Sequence, residues 1–379
     1  MVYALKTKEK IAIVHYWLIN WRGGEKVIEQ LILEYPDADL YCHIVDMDIY
    51  NTHLKDVHKG KLVTSFLQKM PFAKRLYHFY LLLMPFAQEL YDLSKYDVVI
   101  SSESGPAKGV ITNPSSIHIC YCHSPMRYIW DMFPEYLKTL GSLKRALFRV
   151  AAHYLRIWDQ ASSQRVDYFI ANSQYVASRV EKYYRRESTV INPPVSIDKF
   201  IVGEEREDYY LMLGQLVEYK KADLACRAFS ESGRQLVVIG EGPLYSDLKK
   251  QCPDNIKLLG RLPESELIKY LSRAKALLFP GVEDFGIVPL EAAASGTPVI
   301  AYRSGGATET VLEGVTGFFF DEQTTKAINQ AVEHFENTPT LDSKEMRVHA
   351  ERFSEEIFRK NTRGFIEARK SKSIGRILG

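Results

Sequence analysis

Two glutamates in the carboxyl-terminal half of the chain, Glu283 and Glu291, have seven residues between them. The short apolar run Ala276–Phe279 predicts a buried strand, and Pro280 ends it because proline has no backbone N–H. Glu283 is therefore expected on a loop beyond a strand end, where a carboxylate can accept hydrogen bonds from sugar hydroxyls. The stretch that holds the pair, Phe279–Val299, predicts a site for a sugar nucleotide. The alternative is a chance pair, since acidic residues favour helix starts for electrostatic reasons.

The segment after Glu283 predicts a short helix from Pro289 to Ser295. Proline suits the first turn of a helix, and Gly296 suits the left-handed residue that follows one. We expect Glu291 in the first turn, and we expect the backbone N–H groups ahead of the helix to meet sugar hydroxyls or phosphate oxygens. These predicted donor-binding groups belong to Phe285, Gly286 and Ile287.

The stretch Glu283–Thr310, which includes Gly305-Gly306, resembles the donor-binding signature of family 4 of the retaining glycosyltransferases. Other motifs of that family follow in the same order along nearly the whole chain. The resemblance implies an α/β protein of the GT-B class, in which two Rossmann-like domains face each other across a cleft. It also implies that Glu283 contacts the donor sugar as a catalytic residue, that Glu291 binds the nucleotide ribose, and that no metal or other cofactor is required.

A glycine pair near the amino terminus, Gly23-Gly24, lies between a predicted strand over Ile11–His15 and a predicted helix over Glu25–Glu34. Adjacent glycines let backbone N–H groups approach an anion closely, and a helix start adds a favourable partial charge. A plain strand-to-helix turn would use glycine as well. In the resembling family this pair lines the cleft beside the donor phosphates and the acceptor, so we predict that both glycines bind the donor.

His123 follows the apolar run Ile117–Cys122, which predicts a buried strand, as does Tyr96–Ser101. Loops that follow parallel strands line the ligand crevice of a doubly wound sheet. A lone histidine is more often a hydrogen-bonded structural residue than a catalyst. The family resemblance, which His123 carries together with the Ser-Pro after it, implies a place near the donor sugar, and we predict that it is the second catalytic residue.

The second domain is predicted to open with a strand over Tyr209–Leu213 and a loop that holds Gln215, Lys220 and Lys221. A lysine on such a loop is a suitable partner for a diphosphate, although a solvated basic turn has the same appearance. The family pattern has arginine where this chain has Gln215, so we expect Lys221 to supply the missing cation beside Lys220. The resemblance also implies that Arg261 lies on the loop that contacts the nucleobase.

Two domains are expected. As the resemblance implies, residues 1–200 form the acceptor-side domain, residues 206–352 form the donor-binding domain, and a final helix over 353–379 packs back against the first. The run Val190–Asp198 resembles the family's crossover between domains, and its prolines stiffen the connection. The amino-terminal run Met1–Lys10 lacks the apolar core of a signal peptide, and no run approaches the roughly 20 apolar residues of a membrane-spanning helix.

Positive and negative charges nearly balance, with 49 Lys and Arg against 47 Asp and Glu and a formal net charge of +2. A general nucleic-acid binder is therefore not indicated. The five cysteines form no C-x-x-C pair and have no matching histidine spacing, which argues against a disulfide framework or a zinc site and favours a reducing cytoplasm. The pairs Asp37/Asp39 and Asp46/Asp48 match a pattern of metal-dependent transferases of another fold, and we interpret them as coincidental surface residues.

Two regions combine cations with large apolar side chains. Lys138–Arg165 has apolar residues at helical spacing with six Lys and Arg and one acidic residue, and Lys69–Pro85 repeats the combination. Such segments can lie on an anionic membrane, and an ordinary amphipathic surface helix is the alternative. We hypothesise peripheral attachment to the inner face of the cytoplasmic membrane. The apolar residues of the first region are Leu140, Leu143, Leu147, Val150, Tyr154 and Ile157.

Together these features predict a retaining glycosyltransferase that moves a hexose from a nucleotide sugar to a glycan or lipid-linked glycan acceptor. The loops that hold His123 and Lys220 resemble those of bacterial mannosyltransferases of O-antigen (lipopolysaccharide) and capsule polysaccharide biosynthesis, which implies GDP-mannose as the donor. Three alternatives stay open: a UDP-sugar-dependent transferase of the same fold, a sugar-nucleotide epimerase with GT-B architecture, and a non-catalytic sugar-nucleotide-binding protein.

Overall fold

The computed structural model describes residues 9–138, 140–203, 205–338 and 340–377, with side chains described as far as residue 371. Contacts between residues divide the chain into two compact units. Unit 1 runs to Asn192 and resumes at Phe358, and unit 2 is Pro193–Ile357. The predicted domain limits lie at residues 200, 206 and 352. Most of the amino-terminal run predicted to lack a signal peptide falls outside the described residues, as do residues 378 and 379 of the predicted final helix.

Unit 1 is built on a seven-stranded sheet in the order β3-β2-β1-β4-β5-β6-β7. Every neighbouring pair in it is parallel. Its interior strands read as continuous apolar runs because a parallel sheet is covered on both faces. The strands are β1 Ile11–Leu18, β2 Asp39–Val45, β3 Leu62–Thr64, β4 Val98–Glu103, β5 Ile117–Cys122, β6 Tyr168–Ala171 and β7 Ser188–Val190.

Helices and 3-10 turns connect these strands. The helix after β1 packs Val27, Ile28 and Leu31 into a core that also takes Phe358 and Ile366 from the last helix of the chain. Each such buried aliphatic side chain contributes about 1.5–3 kcal/mol through the hydrophobic effect. The helices are α1 Gly23–Glu34, α2 Met47–His53, α3 Ala73–Leu76, α4 Met84–Glu89, α5 Phe133–Lys138, α6 Ser142–Ser163 and α7 Gln174–Tyr184, and the 3-10 turns are Phe66–Lys69, Tyr77–Leu83 and Ala107–Gly109.

Unit 2 has a six-stranded sheet in the order β10-β9-β8-β11-β12-β13, again parallel throughout. Its strands are β8 Tyr210–Leu213, β9 Leu236–Ile239, β10 Ile256–Gly260, β11 Leu277–Phe279, β12 Val299–Tyr302 and β13 Gly317–Phe320. Its helices are α8 Ala222–Ser232, α9 Tyr245–Gln251, α10 Glu264–Arg273, α11 Ile287–Ala294, α12 Ala307–Thr310, α13 Thr325–Glu336 and α14 Ser343–Glu351. Short 3-10 turns occupy Ile197–Lys199 and Glu218–Lys220, and α15 Glu355–Ile377 begins in unit 2 and continues in unit 1.

The doubly wound parallel sheet predicted for each half is confirmed. The strand predicted over Ile117–Cys122 coincides with β5. Strand β1 continues beyond its predicted end because Trp17 and Leu18 pair with Ile44 and Val45 of β2, a pairing that no local pattern reveals.

All five cysteines are free thiols, and four of them are buried. Over the described ranges, no helix is both long and apolar enough to cross a membrane.

Candidate functional site

In unit 1 the strand order reverses between β1 and β4, where a doubly wound sheet opens a crevice at the carboxyl ends of its strands. Gly24 follows β1 and His123 follows β5. A Cβ added to Gly24 would lie 3.0 Å from the hydroxyl oxygen of Tyr16 and 3.8 Å from Nε2 of His123. The fold therefore brings the predicted glycine and the predicted histidine together.

The glycine pair lies inside α1 rather than on a loop before it. Arg22 is the N-cap, so Gly23 and Gly24 are the first two helical residues, and the predicted helix start at Glu25 is wrong by two residues. Their N–H groups still belong to the first turn, where no carbonyl of the same helix reaches them. The helix start therefore keeps the ability to donate hydrogen bonds to an anion.

His123 is held by two contacts at the end of β5. Its backbone N–H donates to the carbonyl of Glu103 at 2.7 Å, and its ring Nε2 lies 2.7 Å from the hydroxyl oxygen of Ser102. Burial, with a smaller effect from the nearby His15, lowers the pKa of His123 to about 3. The imidazole is therefore neutral near pH 7, with one ring nitrogen as a donor and the other as an acceptor.

No sequence pattern pointed to two further polar residues beside His123. His15 on β1 is fully buried, and neither of its ring nitrogens has a hydrogen-bond partner among the described residues. Its Nε2 lies 3.9 Å from Oε1 of Glu25, a buried carboxylate whose other oxygen accepts the N–H of Arg22 at 2.9 Å. A histidine inside an apolar strand was the available signal, but only the packing of α1 on β1 shows that the two side chains meet.

A buried ion cluster supports the end of β4. The Nζ atom of Lys108 lies 2.8 Å from Oε1 of Glu103 and also contacts Asp159, and all three side chains are wholly buried. Trp130 Nε1 and Tyr184 OH donate to the second oxygen of Asp159 at 2.7 and 3.0 Å. Because Asp159 belongs to α6, the cluster ties that helix to β4.

Burial and neighbouring charges shift the titration of this cluster. Burial raises the pKa of Glu103 to about 7; the charge of Asp159 adds to the rise and that of Lys108 opposes it. Burial alone would lower the pKa of Lys108, but the two carboxylates raise it above its usual range. The lysine is therefore charged at neutral pH and compensates the carboxylates around it.

In unit 2 the strand order reverses between β8 and β11. The loop after β8 carries Lys220 and the loop after β11 carries Glu283, and their side chains form an ion pair with 2.7 Å between Nζ and Oε1. The Lys220 side chain is 14% exposed and that of Glu283 is 20% exposed. Lys220 and Glu283 belong to different sequence motifs, each predicted to bind the donor. The structure brings the two residues into direct contact, and both side chains remain partly accessible.

Glycines allow these two loops to approach each other. A Cβ on Gly281 would lie 2.7 Å from Cα of Lys220, and a Cβ on Gly214 would lie 2.9 Å from its Nζ. Gly214 also has a φ of +144°, which side chains other than glycine rarely adopt. A larger residue at either position would displace Lys220 from Glu283.

A second glycine pair fixes the backbone of the Glu283 loop. The N–H of Gly306 donates to the carbonyl of Glu283 at 2.8 Å. A Cβ on Gly305 would lie 2.5 Å from that carbonyl oxygen, and a Cβ on Gly306 would lie 2.2 Å from Cα of the buried Phe285. Both positions therefore exclude any side chain, which explains why this stretch of the signature needs glycine.

Helix α11 begins at Ile287, two residues earlier than predicted. Gly286 is its N-cap with a φ of +92°, which favours glycine. Pro289 is then the third helical residue, where a missing N–H still costs no bond within the helix. Glu291 consequently lies in the second turn, so its predicted first-turn position is wrong. The predicted left-handed stop is confirmed, since Gly296 has a φ of +68°.

The remaining predicted donor residues lie at the same edge of the sheet. Gln215 is exposed on the loop after β8, and Arg261 is exposed directly after β10. Lys221 is the N-cap of α8 in a left-handed conformation with a φ of +58°. Their contacts with a nucleotide sugar remain predictions.

The acidic pairs of the sequence have structural partners. Asp39 accepts a hydrogen bond from Tyr96 and pairs with Lys95, while Asp46 caps α2 and pairs with Lys74. Within the part of the chain that the structure describes, no three His, Cys, Asp or Glu side chains come together as ligands for a metal ion.

Two family models match the chain. The model described as "Glycosyltransferase Family 4" matches residues 21–199, and the model described as "Glycosyl transferases group 1" matches residues 196–356. The first match lies almost wholly in unit 1, and the second lies in unit 2.

Curated relatives match parts of the chain. A GDP-mannose-dependent alpha-(1-6)-phosphatidylinositol monomannoside mannosyltransferase of Mycolicibacterium smegmatis is 32% identical over 42% of this chain and 50% of that protein. The alpha-1,3/1,6-mannosyltransferase ALG2 of Mus musculus is 25% identical over 63% of this chain and 65% of that protein. Each match covers less than two thirds of the relative's length.

Solved structures resemble almost the entire chain. HepE of Anabaena in complex with UDP has a TM-score of 0.68 and 17% identity, covering 95% of this chain and 100% of its own. Sucrose-phosphate synthase of Thermosynechococcus elongatus has a TM-score of 0.71 and 16% identity, covering 96% of this chain and 100% of its own. At these identities the likeness concerns the fold, which has two Rossmann-like domains.

Proposed function

Because the chain carries both domains of a family 4 glycosyltransferase with the GT-B fold, we propose that it transfers mannose from GDP-mannose to a lipid-linked glycan with retention of the anomeric configuration. The observation that carries this proposal is the ion pair of Lys220 and Glu283 at the switch point of unit 2. A sugar diphosphate presents an anion beside a ring of hydroxyls, and this pair offers a cation and a carboxylate side by side.

The transfer makes specific electrostatic demands. The bond between the anomeric carbon and the diphosphate oxygen breaks, the acceptor hydroxyl oxygen bonds to that carbon, and the hydroxyl proton passes to the leaving phosphate. Negative charge grows on the leaving diphosphate, so preorganised donors around it lower the barrier, each by about 3 kcal/mol. We assign this role to Lys220, Lys221 and the N–H groups that open α11, with Gln215 and Arg261 nearer the nucleoside.

Donor binding would exchange the partners of the ion pair. The diphosphate takes Lys220, and Glu283 is released to accept hydrogen bonds from the sugar hydroxyls. Phe285 and Gly286 keep the loop in place while this occurs, and Glu291 binds the ribose. No metal is required in this scheme, because the cations and backbone donors carry the neutralisation.

In unit 1 we assign His123 to the reacting sugar and the N–H groups of Gly23 and Gly24 to phosphate. A neutral imidazole suits this place, since positive charge develops on the sugar as its bond to the diphosphate breaks. The low pKa of His123 therefore favours a hydrogen-bonding role over that of a cation.

Two relatives support the choice of mannose. The Mycolicibacterium protein and a monoacylated phosphatidylinositol monomannoside mannosyltransferase of Corynebacterium glutamicum, 43% identical over 20% of this chain, are both named as GDP-mannose-dependent. Both act on a phosphatidylinositol monomannoside, which is a lipid, and this supports a lipid-linked acceptor here and a peripheral position on the inner face of the cytoplasmic membrane.

A thermal-shift panel tests the donor. GDP-mannose, GDP, UDP-glucose, UDP-N-acetylglucosamine and UDP are compared with and without EDTA, because a ligand at 100 times its Kd stabilises the folded state by about 2.7 kcal/mol. We expect a shift with the guanine compounds alone that EDTA does not change. A shift with the uridine compounds alone would reject mannosyl transfer, and no shift at all would reject a sugar-nucleotide site.

Release of GDP from GDP-mannose then tests the reaction. We expect release only when a lipid-linked mannan acceptor is present, with the lipid gaining one hexose by mass spectrometry. Donor conversion without an acceptor would indicate an epimerase, and binding without conversion would indicate a non-catalytic protein.

A further inference from the structure

Helix α6 in unit 1 has apolar residues on two sides. One side packs Ala152 and Leu155 into the core, where both are buried. Along the other side the apolar residues recur at steps of four and three, which places them on one stripe. These residues are 52–76% exposed: Leu143, Leu147, Val150, Tyr154 and Ile157. The apolar residues whose periodicity is visible in the sequence therefore lie on the exposed side of the helix and not on its core-facing side.

A second group of exposed apolar residues lies between β3 and β4. It spans the region of α3, the 3-10 turn Tyr77–Leu83 and α4. Large apolar side chains rarely remain exposed in such number on a monomeric surface without a partner. Those exposed by 41–75% are Phe72, Phe79, Leu82, Leu83, Phe86 and Leu90.

The structural elements that carry the two groups are in contact with each other. Leu81 of the 3-10 turn packs against the small core cluster to which Ala152 and Leu155 of α6 belong. Glu89 of α4 pairs with Arg165 at 2.7 Å, and its Oε1 lies 3.4 Å from Trp158 Nε1 of α6. We call the exposed apolar residues of both groups, with the cations among them, the α6–α4 face.

The charge on this face is positive. Its exposed cations include Lys69, Arg75, Lys144 and Arg149. The acidic residues of the same two segments are paired, since Glu89 contacts Arg165 and Asp159 contacts Lys108 inside the unit. An apolar stripe bordered by exposed positive charge is complementary to an anionic lipid surface.

We propose that the α6–α4 face docks on an anionic bilayer, with its apolar side chains among the headgroups and its cations against lipid phosphates. This deepens, and rests on, the proposed transfer to a lipid-linked acceptor. A second copy of the chain is a poorer occupant, because a two-fold contact of this face with itself would oppose the same cations.

Vesicle sedimentation tests the docking. The full-length protein is mixed with vesicles of phosphatidylcholine alone or of phosphatidylcholine with phosphatidylglycerol. We expect binding to the anionic vesicles, and we expect Leu147→Glu combined with Val150→Asp to weaken it about tenfold or more, because two side chains leave the apolar layer. Val348→Asp on α14 is the matched control, as Val348 is 62% exposed on a helix of unit 2 and should leave binding unchanged.

A charge variant separates lipid from other occupants. The double variant Lys144→Glu with Arg149→Glu should bind anionic vesicles several-fold more weakly than the unaltered protein, and this difference should disappear at high salt. Lys344→Glu on α14 is the control and should leave binding unchanged. Failure of the unaltered protein to bind either vesicle would overturn the proposal. Light scattering that shows a dimer without lipid, converted to a monomer by the Leu147 and Val150 changes, would assign the face to a second copy instead.

Transfer to a water-soluble acceptor distinguishes the proposed membrane docking from the proposed mannosyltransferase activity. The docking variants should transfer mannose to a soluble mannoside at the unaltered rate and to the lipid-linked acceptor more slowly. Vesicle binding without transfer to either acceptor would reject the proposed function and leave the docking face standing. Equal rates on the lipid acceptor for variants and unaltered protein would overturn the role of the face in catalysis on membranes.

Discussion

The ion pairs of the two units differ in how deeply they are buried. In unit 1, Lys108 and its two carboxylates are wholly buried and held by several further hydrogen bonds. In unit 2, Lys220 and Glu283 form a single contact and keep part of their surface exposed. A buried charge that loses its partner costs several kcal/mol, while a partly exposed pair is screened by water. The first cluster therefore supports the fold, and the second is available to a ligand.

The largest effect should come from breaking the buried cluster. Lys108→Met leaves two carboxylates without their cation, and we expect the free energy of unfolding of unit 1 to fall by about 3–5 kcal/mol. All 4 tryptophans, Trp17, Trp21, Trp130 and Trp158, belong to unit 1, so tryptophan fluorescence in urea reports on that unit. Lys95→Met, which removes a half-exposed partner of Asp39, should cost less than about 1 kcal/mol. Equal losses would refute the contrast between the two kinds of pair.

Removal of the carboxylate from the Lys220–Glu283 pair should affect catalysis rather than the stability of the fold. Glu283→Gln should lower kcat by about 100-fold, because sugar hydroxyls lose a charged acceptor. The same change should tighten GDP binding by a few-fold, about 0.5–1 kcal/mol, since Lys220 no longer has to leave a carboxylate. Calorimetry with GDP measures the second effect, and Glu322→Gln is an exposed control. Weaker GDP binding would contradict the exchange of partners described for donor binding.

Removal of the Lys220 cation should change the affinity for GDP in the opposite direction. Lys220→Met should weaken GDP binding by about 10–100-fold, the value of a charged hydrogen bond, while the unfolding of unit 1 is unchanged. Lys221→Met tests whether the second lysine replaces the absent arginine, and a loss of about tenfold is expected. If only Lys221→Met weakens binding, the assignment of the diphosphate to Lys220 is incorrect.

The buried cluster should also have a pH dependence. The pKa of Glu103 is raised from 4.5 to about 7, so the folded chain binds a proton that the unfolded chain releases between those values. Stability of unit 1 should therefore fall as pH rises from about 4.5 to 7 and level off above it. Relative to Glu103→Gln, the unaltered protein should lose on the order of 2 kcal/mol across this window, measured by urea titration. A parallel pH profile for both proteins would show that Glu103 does not titrate there.

Parallel strands were readable from local sequence because both of their faces are buried, so they appear as continuous apolar runs. That is why β5 coincides with its prediction. Helix starts were less accurate, since Gly23, Gly24 and Ile287 joined helices predicted to begin two residues later. At such ends the cap geometry decides the boundary, and it depends on the backbone conformation that neighbouring loops impose.

Contacts between distant residues could not be predicted in the same way. Lys108 and Asp159 are 51 residues apart and sit in segments with no pattern that links them. The proximity of His15 and Glu25 likewise could not be predicted from local sequence, because it depends on the packing of α1 on β1. Side-chain pairs of this kind depend on the strand order, and the strand order is a property of the whole sheet.

The amino-acid sequence by itself determined the alternation of strands and helices, the glycines that the close loop approaches need, and the candidate residues at the strand ends. Tertiary structure decided that Lys220 meets Glu283, that Lys108 is sealed inside unit 1, and that the apolar stripe of α6 faces outward. The physical reason is that periodicity defines a face of a helix, whereas only the packing of other elements determines whether that face is covered.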